Sequence, residues 1–314
     1  MRVVFLDRAS LKAAVRKPSF AADYIEHEKT APDEIVPRLA GAAVAIVNKV
    51  PMRAEALREL PQLKMIAVAA TGYDVVDVAY CREHGIAVAN IRDYAVHSVP
   101  EHTFAMILAL RRNLPAYRRD VENGVWNRSD QFCLFTHPIG DLYGATLGII
   151  GEGAIGQSVA AIGRAFGMHV LFADHAPPKA PGTNFTAHDE VLAQSDVISL
   201  HCPLLPSTRN LIDIRAFGKM KRSALLINTA RGGLVDETAL IQALDEGLIA
   251  GAGFDVLTVE PPRNGHPLLD LRRANFLLTP HVAWASDQAM QFLADQLIDN
   301  IELWAAGKPR HLVT

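Results

Sequence analysis

Along this chain, short apolar runs alternate with segments in which apolar residues recur at helical spacing. Over the first ninety residues the runs at 2–7, 42–47, 63–69 and 86–89 read as strands. The amphipathic stretches 53–60 and 75–84 between them read as helices. Strand and helix in strict alternation imply a parallel sheet with crossover helices. A longer helix is predicted over 98–113, with Ser98 as N-cap and Pro100 in the first turn, where a missing N–H costs nothing. Phe104, Met106, Ile107, Leu108 and Leu110 nearly encircle it, which predicts burial.

Residues 115–144 show no sustained period and read as loop. The alternation then restarts, with strands predicted at 146–150, 168–173, 197–201, 224–228, 251–256 and 276–279. A final helix is predicted over 286–306, with Met290, Leu293, Leu297, Ile301 and Leu303 on its apolar side. No strand follows it, so it must pack on a body already made. The expectation is a discontinuous first domain, 1–97 with 286–314, into which a second domain, 98–285, is inserted. No internal repeat of 20–50 residues is visible.

Composition narrows the class. Of the 314 residues 50% are hydrophobic but only 7% aromatic, the aliphatic make-up of buried parallel strands. Lys and Arg number 31 against 34 Asp and Glu, for a net charge of −3, so a nucleic-acid surface is not indicated. The basic group Arg111, Arg112, Arg118 and Arg119 reads as a solvated helix end, and a small molecule is the expected partner. Cys81, Cys133 and Cys202 are too few and too scattered for a disulfide framework, which fits a reducing compartment. With no leader pattern before the first strand and no membrane-length apolar run, a cytoplasmic, non-membrane protein is expected. The 12 histidines include no H-x-x-x-H pair beside carboxylates, so no metal site is expected. His97, His102 and His201 read as packing or hydrogen-bonded core histidines.

Chemistry enters at residues 147–156, which hold G-x-G-x-x-G at Gly151, Gly153 and Gly156, after a strand and opening a helix. The first glycine makes the tight turn, the second lets backbone approach a pyrophosphate, and the third allows close helix–strand packing. The next strand ends at Asp174, 18 residues past the last glycine, where an acid binds the adenosine ribose hydroxyls and disfavours a 2′-phosphate. NAD is therefore favoured over NADP. Glycine-rich βα turns also serve S-adenosylmethionine, and Glu152 inside the turn would place a carboxylate near a pyrophosphate unless it points away.

Three polar residues follow successive strands of the same domain: Arg231, Glu260 and His281. Singly, each has an ordinary explanation as a surface ion-pair partner, a turn residue before Pro261, or a capped loop histidine. Jointly, beside a dinucleotide turn, they are the equipment for reducing an α-keto acid. The arginine clamps a carboxylate and the histidine gives the carbonyl oxygen its proton. The carboxylate fixes the imidazole tautomer.

These residues resemble the D-isomer-specific 2-hydroxyacid dehydrogenases. The similarity runs through Asn48-Lys-Val-Pro51, residues 69–77, Gly148–Gly156, Asn228-Thr-Ala-Arg-Gly-Gly-Leu-Val-Asp236, Val256–Pro262 and Pro280–Ser286. The Asn48 and Thr71 segments look like the glycerate dehydrogenase, or hydroxypyruvate reductase, branch. The resemblance implies a Rossmann dinucleotide-binding domain inserted into a discontinuous flavodoxin-like substrate domain, and Arg231, Glu260 and His281 as the catalytic set. It further implies that Thr103, Ala154, Ile155, Pro203, Thr208, Thr229, Ala230 and Asp255 line the NAD pocket with the three glycines and Asp174, Asp255 meeting the nicotinamide amide. Thr71 and Gly72 would bind the substrate carboxylate with Arg231, and Asn48 and Lys49 would help enclose it. Members are typically homodimers, which makes 115–144 a candidate dimer arm. Glu152 and Ala283 depart from the family pattern. The activity implied is NAD(H)-dependent reduction of hydroxypyruvate or glyoxylate. The competing expectation is a dehydrogenase-like NADH-sensing binding module of the corepressor type.

Overall fold

A computed structural model describes residues 1–20, 23–173 and 185–314. The chain divides into two compact units, Met1–Tyr94 with Ala285–Thr314, and Ala95–Trp284.

In the discontinuous unit five parallel strands, β1 (Arg2–Phe5), β2 (Asp23–Glu26), β3 (Val44–Val47), β4 (Met65–Val68) and β5 (Ala87–Ala89), lie in the order β2-β1-β3-β4-β5. This is the flavodoxin-like order. The inner strands β3 and β4 are buried along their whole length, as expected of strands covered on both faces. Strand β2 was not apparent in the sequence. It is an edge strand of Asp-Tyr-Ile-Glu, half-exposed, with no apolar run to announce it. The helix Asp287–Ala305 begins at Ser286, whose hydroxyl accepts the Ala289 N–H at 3.1 Å. It buries Met290, Leu293, Leu297 and Ile301, each worth roughly 1.5–3 kcal/mol relative to exposure. Polar groups fix its register. Buried Gln296 exchanges two hydrogen bonds with the Arg92 backbone, 2.8 and 3.0 Å, and Asn300 donates to the Asn90 carbonyl at 3.0 Å.

The inserted unit has six parallel strands, β6 (Thr146–Ile150), β7 (His169–Phe172), β8 (Val197–Leu200), β9 (Leu225–Asn228), β10 (Gly251–Phe254) and β11 (Phe276–Leu278), in the order β11-β10-β9-β8-β6-β7. The winding reverses at β6, which pairs with both β7 and β8. In doubly wound sheets, ligands sit outside the carboxyl ends of the strands at such a switch point. The helix Ser98–Arg111 packs inside this unit, with the Phe104 ring stacked on Phe166 at 5.5 Å and Met106 against Gly253.

Three local expectations need correction. Ser98 is the first helical residue and His97 holds the cap position, because the Ser98 hydroxyl turns to the Trp284 carbonyl at 3.4 Å. His97 is exposed, not a core histidine. Residues 115–144 are not wholly loop: a helix spans Leu114–Glu122 and a short 3-10 turn Trp126–Arg128. Only Ala116 of that helix is buried, so the sequence carries no apolar stripe there. Among the described residues no helix is long and apolar enough to cross a membrane. Among them, too, no group of three or more His, Cys, Asp or Glu is placed to hold a metal ion.

Candidate active site

Strand β6 runs straight into the glycine turn. Gly151 has φ +117, and a Cβ there would strike the His201 carbonyl and the Cys202 nitrogen at the end of β8. A Cβ on Gly156 would collide with the Gly151 carbonyl oxygen. Gly153 differs: it is exposed, and an added Cβ meets nothing within 4 Å. The turn is thus closed on its inner side and open on its outer side. There the helix Ala154–Ala165 presents its first N–H groups, the arrangement that receives a pyrophosphate. A dinucleotide fits this cradle. Ala154 is exposed and Ile155 half-buried at its lip, while Glu152 is half-buried and engaged by an interaction of its own. Asp174 lies outside the described residues.

The other expected cofactor residues sit at strand ends of the same sheet. Past β8, Thr208 folds its loop: its hydroxyl accepts the Leu205 N–H at 2.7 Å and donates to the Pro203 carbonyl at 2.8 Å. Past β9, Thr229 is 9% exposed and its hydroxyl meets that of fully buried Thr103 at 3.1 Å. Ala230 gives its N–H to the Asn228 side chain at 3.1 Å, and the Asn228 amide donates to the Arg231 carbonyl at 2.9 Å. Asn228, itself fully buried, therefore shapes the turn that presents Arg231. Sequence reasoning missed this role; an amide closing an apolar strand was the available signal.

Strands β10 and β11 carry the remaining chemistry. Asp255, 1% exposed, accepts the N–H groups of Val282 at 2.9 Å and Ala283 at 2.8 Å, and also the Thr279 hydroxyl. His102 reaches the same Thr279 hydroxyl at 3.0 Å. Between Thr279 and Val282, His281 adopts φ +57 and donates its N–H to the Asp255 carbonyl at 2.8 Å. Its Nδ1 lies 2.6 Å from Glu260 Oε2, and its carbonyl accepts the Trp284 indole N–H at 3.0 Å. Glu260 uses its other oxygen to accept the Leu257 N–H at 2.7 Å. Gly232, next to Arg231, packs so closely on the Leu257 and Thr258 backbone that no Cβ fits. The turn bearing Arg231 and the segment bearing Glu260 therefore abut, and Glu260 in turn holds His281.

Asn48, Lys49, Thr71 and Gly72 belong to the other unit, where the structure places them after the neighbouring strands β3 and β4. Buried Asp7 accepts the N–H groups of Asn48 at 3.0 Å and Lys49 at 2.6 Å; burial pushes its carboxyl up from the usual range, against the pull of those amides. The Asn48 side chain donates inward to the Ser10 hydroxyl at 3.1 Å, so of the pair only Lys49 is exposed. Thr71 donates its hydroxyl to the Ile91 carbonyl at 2.8 Å, and its carbonyl accepts the Asn90 amide at 2.8 Å, which fixes the turn before Gly72.

An open glycine turn at a switch point, with a carboxylate-held histidine four strands along the same sheet edge, is the arrangement of a nicotinamide-dependent oxidoreductase. A family model described as "D-isomer specific 2-hydroxyacid dehydrogenase, NAD binding domain" matches residues 104–283. A glycerate dehydrogenase of Methylorubrum extorquens is 55% identical over 313 residues, covering 99% of this chain and 98% of that protein. A hydroxypyruvate reductase of Blautia hydrogenotrophica is 37% identical over 284 residues, covering 90% of this chain and 88% of that protein. Among solved structures, a D-lactate dehydrogenase of Aquifex aeolicus complexed with NAD and lactic acid superposes with TM-score 0.78 at 31% identity, covering 98% of this chain and 96% of that one. The chain belongs to the D-isomer specific 2-hydroxyacid dehydrogenase family, and its dinucleotide is NAD.

Proposed function

We propose that this enzyme reduces hydroxypyruvate or glyoxylate to the corresponding D-2-hydroxy acid at the carboxyl edge of the inserted sheet. The observation that carries the reading is the 2.6 Å contact between His281 Nδ1 and Glu260. NADH, when bound, supplies the hydride. With Nδ1 committed to Glu260, Nε2 of His281 is the ring nitrogen that meets substrate. It donates its proton to the carbonyl oxygen as hydride reaches the carbonyl carbon, and takes the proton back in the reverse direction. Glu260 holds the ring in the tautomer that does this and stabilises the imidazolium. Arg231 offers its guanidinium fork to the substrate carboxylate. The names of the similar proteins from Methylorubrum and Blautia support the substrate choice. No observation favours the NADH-sensing, non-catalytic alternative.

The test is NADH oxidation followed by absorbance with hydroxypyruvate, glyoxylate, pyruvate, phenylpyruvate and oxaloacetate. Fastest turnover on the first two is expected; failure of all five sinks the proposal. His281→Ala should lower kcat by about 10²–10⁴. Near-normal turnover of that variant would reassign the acid. Asp174 is proposed to set the preference for NADH, so Asp174→Ala should narrow the NADH/NADPH ratio. We also propose a homodimer joined through residues 115–144, supported by Phe132, Phe135 and Tyr143, which are 89%, 87% and 84% exposed. Phe132→Asp with Phe135→Asp should then halve the mass measured by light scattering. The free thiols Cys81, Cys133 and Cys202 support a cytoplasmic location.

A further inference from the structure

The segment that carries Glu260 is itself held by a second carboxylate–histidine pair. Glu237, in the first turn of the helix Glu237–Asp245, uses both of its oxygens. Oε1 accepts the Thr258 N–H at 2.9 Å, and Oε2 lies 3.0 Å from Nε2 of His266. The other ring nitrogen, Nδ1, accepts the Leu268 N–H at 3.2 Å and caps the short helix Pro267–Asp270. An accepting Nδ1 leaves the ring proton on Nε2, pointed at Glu237. Both side chains are enclosed, Glu237 18% and His266 10% exposed.

Glu237 thus grips the segment at both ends, at Thr258 and at His266, with Glu260 between. Gly232 backs the segment at Leu257 and Thr258, but beyond Thr258 it faces solvent: Val259 is 62% exposed, and Pro261, Arg263, Asn264 and Gly265 are exposed. Where apolar packing is thin, hydrogen bonds to a rigid element set position. We infer that Glu237 and His266 are a positioning pair that sets the reach of Glu260 to His281, and so governs turnover while leaving dinucleotide binding alone. The inference rests on the reading of Glu260 and His281 as the acid–base pair. A displacement of about 1 Å at a catalytic group can cost up to 10²-fold in rate.

The two roles of His266, holding Glu237 and capping the short helix, are separable. In His266→Gln the amide nitrogen reaches where Nε2 stood and can still donate to Glu237. In His266→Asn the amide oxygen stands where Nδ1 stood and keeps only the cap. Glu237→Ala and His266→Asn should lower kcat with hydroxypyruvate by about 10–100-fold, with KM for NADH within about twofold. His266→Gln should recover most of that loss. In a Glu260→Gln background, Glu237→Ala should lower kcat no further, since both act through one group. The inference is overturned by any of three results: Glu237→Ala keeps kcat within about twofold; His266→Asn turns over as well as His266→Gln; or the losses at 237 and 260 multiply. Should Glu237→Ala not fold, the His266 pair of variants decides alone. Failure of the acid–base reading is distinguishable, because it appears as an inactive wild type or an active His281→Ala before any of these variants is compared.

Discussion

Asp255 and His281 are joined through main chain and side chain at once: the Asp255 carbonyl accepts the His281 N–H at 2.8 Å, and the Asp255 carboxylate takes the next two N–H groups. His281 stands in the left-handed region, φ +57, which costs a non-glycine residue about 1–2 kcal/mol. The carboxylate offsets that cost and aims the imidazole. Asp255→Ala leaves the buried Ala283 N–H unpaired, a loss of about 1–3 kcal/mol, and frees the partly buried Val282 N–H. The variant should melt earlier by calorimetry and lose at least tenfold in kcat; unchanged melting and turnover would show that the turn holds itself.

Glu260→Gln keeps a hydrogen-bond partner for His281 Nδ1 but removes the carboxylate proposed above to stabilise the imidazolium. Reductive kcat should fall by about 10–100-fold with KM for NADH unchanged. Steady-state kinetics with NADH varied at saturating keto acid would check it. Equal turnover would mean that tautomer alone, without charge, suffices.

At Gly156 a methyl group would occupy the space of the Gly151 carbonyl oxygen. Gly156→Ala should therefore push the glycine turn off the helix Ala154–Ala165 and weaken NADH binding by an order of magnitude or more. Fluorescence titration with NADH measures this. Tight binding by the variant would mean that the turn yields without cost.

His201 stands just past β8, its Nε2 2.8 Å from the hydroxyl of fully buried Ser199, and burial pushes its imidazole down to about 4. A histidine free in the unfolded chain protonates near 6.5. Between these two values the unfolded chain binds a proton that the folded chain refuses, so stability is lost as pH falls from the upper value toward the lower. Melting temperatures of wild type and His201→Gln, compared at about pH 7 and about pH 5, should show a smaller acid loss in the variant. Parallel slopes would place the proton elsewhere.

The parallel strands with apolar runs were legible from sequence because strands buried on both faces cannot hide. The glycine turn was legible, and Arg231, Glu260 and His281, proposed above as the catalytic set, stood out in the sequence because strand ends are where such sheets place chemistry. What escaped had no local signal. Strand β2 is polar and at an edge, and the helix Leu114–Glu122 buries one residue. The inward turn of Asn48 toward Ser10, and the pairing of Glu237 with His266 across 29 positions, are tertiary facts. Asp255 was legible only as a residue type: its carboxylate, 1% exposed and engaged by Thr279, Val282 and Ala283, shapes the turn that carries His281.

The helix Asp287–Ala305 completes the unit that Met1–Tyr94 begins. On the ribosome, the first sheet therefore emerges early and finishes last, waiting while all of Ala95–Trp284 is made. At about 5–20 residues per second the wait is on the order of 10–40 s. During it, the apolar surface destined for Leu293, Leu297 and Ile301 has no cover. Nascent chains stalled before residue 287 should be cleaved by protease within Met1–Tyr94 while Ala95–Trp284 resists, and uniform resistance would show that the early sheet closes unaided. For this enzyme the exposed interval falls during its own synthesis, while Ala95–Trp284 is being made.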